Sequence, residues 1–202
     1  MSSSDIQAAF IEAAAADADG IATAINLSEA GDLTIDGALA SGGSVTFDQP
    51  RNVTITSTGD DTGVTFTVTG TDETGAAQTE AITGVNADVA TGTSYFATVT
   101  QIAASGATDG DVTAGSGTAI AAVIFRGPLR LRGMYVVNSG TAGTITFRET
   151  SSSGPIRMQY NTTGTDGSTE FPSIPDYGIL HKGGGYVLFS QANLSSMTLF
   201  FS

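Results

Sequence analysis

Between Arg51 and Gly115, threonine, valine and isoleucine alternate with almost no charge inside the runs, and glycine or aspartate clusters interrupt them every roughly eight to twelve residues. Within VTFTVT, Val64, Phe66 and Val68 fall on one face and Thr65, Thr67 and Thr69 on the other. Period-two alternation of this kind commits a chain to short antiparallel strands with one packed and one wet face. No nucleophile, base and acid are set together within the pattern, so it specifies a scaffold rather than a reaction centre.

The same signal begins at Leu33 and recurs in LTIDGA, SVTF, NVTITS, VTFTVTG, AQTEAITG and SYFATVTQIAA, each bounded by Gly, Asp, Asn or Pro. Pro50 is expected to break pairing before the strand that follows it, and Thr71 to Gly75 to turn a hairpin between VTFTVTG and AQTEAITG. These strands predict an immunoglobulin-like β-sandwich over 28–118, without the cysteine pair and tryptophan of antibody domains. The run AGSGTA at 114–119 is the expected domain junction, because small residues coincide there with a change in charge. From 119 to 202 the strands IAAVIFRGPLRLRGMYVVNSG, GTITFRET, PIRMQY, GILHKGGGYVLFS and SMTLFFS predict a second, jelly-roll-like sandwich. One undivided β domain is the alternative. In the last strand Met197, Leu199 and Phe201 share a face, and an apolar edge of this kind needs a partner strand, for which a neighbouring subunit is a candidate.

Residues 1–27 read as an N-terminal arm, partly helical. Ser4 is placed to cap a helix, Asp5 stands in its first turn, Ile6, Phe10 and Ile11 recur at helical spacing, and an alanine run follows. A helix this short needs a surface to cover, and Ile6, Phe10 and Ile11 are its expected anchors.

Composition narrows the function classes. The chain has 202 residues, 40% hydrophobic and 13% charged, which describes a globular protein rather than a disordered one. Its apolar stretches, such as Ile120 to Phe125, are far too short to span a bilayer as a helix. The opening residues lack the positive leader of a secretory signal, so no export is expected and the protein is read as made in the cytoplasm. Cysteine is absent, which removes disulfides, thiolate metal sites and a cysteine nucleophile. The net charge of −13 is uneven: residues 1–120 hold sixteen Asp/Glu against Arg51 alone, whereas residues 121–202 hold four acidic and six basic residues. An acidic half of this kind repels phosphate backbones, so nucleic acid is not an expected partner. Nor is a membrane.

Chemistry has few footholds. His181, the single histidine, reads as an exposed turn residue beside Lys182, and no nucleophile-elbow serine accompanies it. The acidic turns at Asp60-Asp61 and Asp109-Gly110-Asp111 offer oxygen ligands of the kind calcium takes, but they lack EF-hand spacing and read first as structural turns. Gly183-Gly184-Gly185 reads as a hairpin turn, not a phosphate cradle. No catalytic residue, metal site or cofactor is expected. Arg126, Arg130 and Arg132 form the basic cluster, with Arg130 and Arg132 on one strand face, and they read as candidates for pairing with carboxylates of a partner. The candidate interface is therefore Ile6, Phe10, Ile11, Arg126, Arg130, Arg132, Leu199 and Phe201.

The segment from EAGDLTIDGALASGG through DGDVTAG resembles a segment found in structural proteins of tailed bacteriophages. GTITFRETSSSGPIRMQY together with IPDYGILHKGGGYVLFSQANLSSMTLFFS is similar to small phage virion β-domains with an "ITF", a "GI", a "GxYV" and a closing apolar strand. The two cover roughly residues 29–202. The resemblance implies a non-enzymatic virion protein, a capsid decoration or cement protein on the outer surface of the shell. It implies the major capsid protein and other copies of the chain, as a homotrimer, for partners. A tail-fibre or receptor-binding module is the alternative, with Tyr160, Tyr177 and Tyr186 as ligand-facing candidates.

Overall fold

Every regular element in the computed structural model, which describes residues 5–202, is a β-strand; there are seventeen, and no helix occurs among the described residues. They sort into two units. One is formed by residues 15–118, the other by the flanks of the chain, up to residue 14 and from residue 119.

In the unit of residues 15–118 the strand Ser44–Ser57 pairs with Phe96–Ala104, which pairs with Thr65–Thr71, which pairs with Ala77–Thr83, all antiparallel. Val89–Thr91 adds to Ser44–Ser57, and Asp17–Ile25 lies along residues 112–116. The register sets Phe66 opposite both Ile82 and Ala104, and Val68 opposite Ile102, so the apolar face of the alternating pattern closes on itself. Phe66, Phe96, Ile55 and Ile102 are wholly buried. Each side chain of this size contributes roughly 1.5–3 kcal/mol on burial, enough to hold a sheet whose other face is threonine.

The expected hairpin forms. Asp72 Oδ1 accepts from the amides of Thr74 (2.8 Å) and Ala76 (2.9 Å) and from the Thr74 hydroxyl (2.7 Å), while Gly75 takes the positive φ of 89° that the turn requires. Pro50, however, does not end a strand. Ser44–Ser57 runs through it, and the pairing with Phe96–Ala104 shifts register between Thr46 and Arg51, so the missing proline N–H falls at an irregularity in the ladder. The small residues 114–119 also lie inside a strand, Val112–Phe125.

The flanking unit has two sheets. The first runs Gln7–Glu12, Leu194–Phe201, Leu129–Asn138, Thr169–Glu170, with Ile179–His181 also on Leu129–Asn138. In the second, Ile156–Asn161, Thr144–Glu149, Gly185–Ser190 and residues 119–125 follow in order. Inward side chains of both sheets, among them Leu131, Val136, Phe147, Val187, Met197 and Leu199, form one buried cluster.

The N-terminal helix is not present. Gln7–Glu12 is an edge strand paired antiparallel with Leu194–Phe201, from Gln7 opposite Phe201 to Glu12 opposite Ser196. The proposed cap, Ser4, lies outside the described residues. An isolated helix of this length is marginal in water, whereas the open edge of a strand offers a backbone hydrogen bond at every second residue and a core site for Ile11. The segment read as one arm is moreover divided, residues 5–14 belonging to the flanking unit and Asp17–Ile25 to the other. The closing strand therefore pairs on both sides within its own chain and needs no second subunit.

Candidate functional site

The outward face of the first sheet in the flanking unit brings together side chains that are far apart in sequence. Alternation turns Ile11, Leu199, Leu131 and Val136 inward and leaves their neighbours outside. Cross-strand register then builds rows: Ala8 opposite Phe200 opposite Gly133, and Phe10 opposite Thr198 opposite Tyr135. Phe10 is 66% exposed and Phe200 37%. Phe200 lies beside Gly133, where a Cβ would come within 3.6 Å of its ring. Tyr135 stacks at a tilt on Phe171, ring centres 4.7 Å apart, and Phe171 is itself 73% exposed.

Arginines border this aromatic stripe at the end nearest Ser202. Arg130 Nη1 donates to the Tyr177 carbonyl (3.2 Å), and Arg132 donates from Nε to the Ser202 hydroxyl (3.0 Å) and from Nη1 to the Asp176 carbonyl (3.2 Å). Both side chains are exposed on the same strand, so the pairing of Arg130 with Arg132 on one face holds. Arg126 is exposed in the bend before that strand. Of the other candidate interface residues, Ile6 (63% exposed) and Phe10 are open to solvent. Ile11, Leu199 and Phe201 are core residues, and Phe201 packs on Phe125 with ring centres 5.9 Å apart. The sequence reading missed Tyr135, Phe171 and Phe200; the alternation of SMTLFFS already placed Phe200 opposite in sense to Phe201.

A polar cluster in the same unit centres on Glu170. Glu170 Oε1 accepts from Asn138 Nδ2 (2.8 Å), the Thr163 amide (3.0 Å) and the Thr163 hydroxyl (2.6 Å), while Oε2 accepts from the Tyr160 hydroxyl. Burial alone would raise the carboxyl, but the Thr163 and Tyr160 hydroxyls, the Thr163 amide and Asn138 hold it down to about 2. Burial, then the bond to Glu170 and its charge, push the Tyr160 phenol up to about 12. Glu149 accepts from the Lys182 amide and the Gly183 amide (3.1 Å) and pairs with Arg157 at 2.5 Å, which clasps the glycine turn.

His181 is not an exposed turn residue. It lies in the strand Ile179–His181 with no accessible surface. Nδ1 lies 3.2 Å from the Arg148 carbonyl, which makes it the protonated nitrogen, and Nε2 has no partner. The two acidic turns are brought together: the Asp109 amide donates to Asp61 Oδ1 (2.8 Å) and the Asp60 amide to Asp109 Oδ2 (3.3 Å). No group of three metal-ligating side chains converges among the described residues. Asp60 Oδ1 also accepts from the amide and hydroxyl of Thr62, as a structural turn does. A cavity of about 320 Å³ in the unit of residues 15–118 is lined by Asn52, Thr54, Thr56, Thr91 and Ser116. Nearby, buried Arg51 donates to the Ala15 carbonyl (2.8 Å). Of the tyrosines, Tyr186 is buried, Tyr160 is tied to Glu170, and Tyr177 is 85% exposed.

No family model matches the chain, and neither a curated protein nor a solved structure matches it.

Proposed function

We propose that this chain is a non-enzymatic structural protein of a tailed-phage virion, a decoration or cement protein on the outer capsid surface that stabilises the head by bridging major capsid subunits. Its two units act as β-sandwiches, rigid bodies that present surfaces rather than enclose a substrate. The observation that carries this reading is the outward sheet face that presents Phe10, Tyr135, Phe171 and Phe200 along with Arg130 and Arg132. Aromatic residues and arginine are the side chains enriched in protein–protein contacts, and an exposed apolar stripe of this kind gains by being covered. The phage-like segments of the sequence supply the setting. The partners are the major capsid protein and other copies of the chain, assembled as a trimer, with neither nucleic acid nor membrane involved.

Immunogold labelling of intact particles tests this directly. Label distributed over the head supports the decoration role. Label confined to the tail would favour the second reading, a receptor-binding module, for which the exposed Tyr177 and Phe171 are the ligand-facing candidates. Absence from particles, or release of sugar from a polysaccharide by the purified protein, would end the proposal.

A further inference from the structure

Arg130 and Arg132 hold exposed guanidiniums that bond only to neutral oxygens, the carbonyls of Tyr177 and Asp176 and the hydroxyl of Ser202. The ion pair found among the described residues lies elsewhere, between Arg157 and Glu149. On the same sheet face, at the level of Tyr135, Phe10 and Phe171 stand largely in solvent. The face thus combines two unmatched demands, for carboxylates and for apolar cover.

The unit of residues 15–118 offers the first in excess. It holds fourteen Asp/Glu and a single basic residue, the buried Arg51, whereas the flanking unit is balanced at six and six. Four of them, Asp60, Asp88, Asp109 and Asp111, stand exposed on three loops at one end. Backbone bonds tie these loops together: Ser57 donates to Asp88 (3.0 Å), Thr58 to Asp111 (3.0 Å) and Ala87 to Gly59 (2.8 Å). These carboxylates make that end of the unit negative, which a bidentate cation complements.

We infer that the aromatic and arginine face of one copy docks on the acidic loops of the unit of residues 15–118 in a second copy. The inference rests on the assembly reading above and names the surfaces that the copies use. The contact is heterologous, so it closes into a ring when its rotation divides the circle, as a trimer requires. Arg130 and Arg132 meet carboxylates, and Phe10 and Phe171 are covered by the same contact.

Light scattering on the full chain tests the contact. The unmodified protein should form a closed oligomer at low ionic strength and lose mass as salt is raised past roughly 0.5 M, where exposed charge is screened within a few ångströms. Arg130→Glu with Arg132→Glu should weaken association at least tenfold, as should Asp88→Lys with Asp111→Lys on the opposite surface. Combining all four substitutions should restore it. Circular dichroism and the urea midpoint establish that each variant is folded, and the salt dependence of the unmodified chain gives an independent reading should one not be. A monomer at every salt concentration overturns the inference, as does an oligomer indifferent to both charge reversals. The function fails separately: monomeric protein found on capsids leaves the role standing without this contact, whereas a salt-sensitive oligomer absent from particles leaves the contact without the role.

Discussion

The carboxamide of Asn52 fills the space that a side chain at Gly117 would need: a Cβ there would stand 2.4 Å from Oδ1 and 2.5 Å from Nδ2. Asn52 is buried and its Nδ2 donates to the Gly92 carbonyl at 3.3 Å, so it has little freedom to yield. Gly117→Ala is expected to lower stability by about 1–3 kcal/mol, as overpacking in a filled interior does. Gly63→Ala is the control, since nothing lies within 4 Å of a Cβ at that site; it should be neutral or slightly stabilising. Urea midpoints for the two variants check both outcomes.

That contact also explains part of what the sequence concealed. Gly115 and Gly117 read as a flexible junction, yet they lie in a strand, and a Cβ at Gly115 would strike the Asp17 carbonyl at 2.1 Å. Glycine serves there for close approach, a reason that composition alone does not distinguish from flexibility. The hairpin of Thr65–Thr71 and Ala77–Thr83 was legible because its alternation and its turn residues lie within one short window. The N-terminal segment was not, since Ile6, Phe10 and Ile11 satisfy a helical spacing while Ala9 and Ile11 equally satisfy a strand, and the deciding edge lies near residue 200. His181 was misplaced for a similar reason, its burial depending on strands distant in sequence. The candidate face shared this difficulty. Its arginines were visible as a cluster, but only cross-strand register sets Phe10, Thr198 and Tyr135 in one row.

Glu170 and Tyr160 form a clasp whose strength depends on charge. The folded carboxyl is held to about 2, below its ordinary value, so its stabilisation is complete above the unfolded pKa near 4.3 and is lost as pH falls through the folded value. Glu170→Gln removes the charge. At pH 7 we expect it to cost about 1 kcal/mol, the modest end for charge-assisted bonds, because Glu170 is only partly buried. The difference between the two proteins should close between about pH 4 and pH 2. Chemical unfolding at several pH values measures it, and a gap that persists at pH 2 would show that the clasp acts by shape instead.

Buried His181 gives a second, separable pH dependence. Burial first, and Arg157 to a lesser extent, lower its pKa, against the opposing pull of the Arg148 carbonyl and Glu149. The folded state therefore keeps the ring neutral where the unfolded chain would protonate it. Its contribution is complete above about pH 6.5 and declines as pH falls from there through the depressed folded value, by at most about 1.4 kcal/mol per pH unit for one proton. His181→Phe keeps an aromatic ring at this site and abolishes the titration. Its unfolding midpoint should lose the slope between about pH 6.5 and pH 5 that the unmodified protein shows, and equal slopes in the two proteins would assign the effect to another group.

Neighbouring residues of the first strand should respond in opposite ways. Ile11 is 3% exposed within the core that includes Met197 and Leu199, and Phe10, next to it, is 66% exposed on the other side of the sheet. Ile11→Ala leaves a cavity and should cost about 2–4 kcal/mol, whereas Phe10→Ser should change stability by no more than about 0.5 kcal/mol. A helix with Ile6, Phe10 and Ile11 on one stripe would make both changes costly or both harmless, so the contrast reports the strand directly. Function should divide the other way. Phe10→Ser leaves the fold intact and removes an aromatic from the outward face, so it should weaken association in light scattering. Ile11→Ala, measured where it remains folded, should associate normally. If the two variants lose association equally while both stay folded, the outward face is not the contact surface.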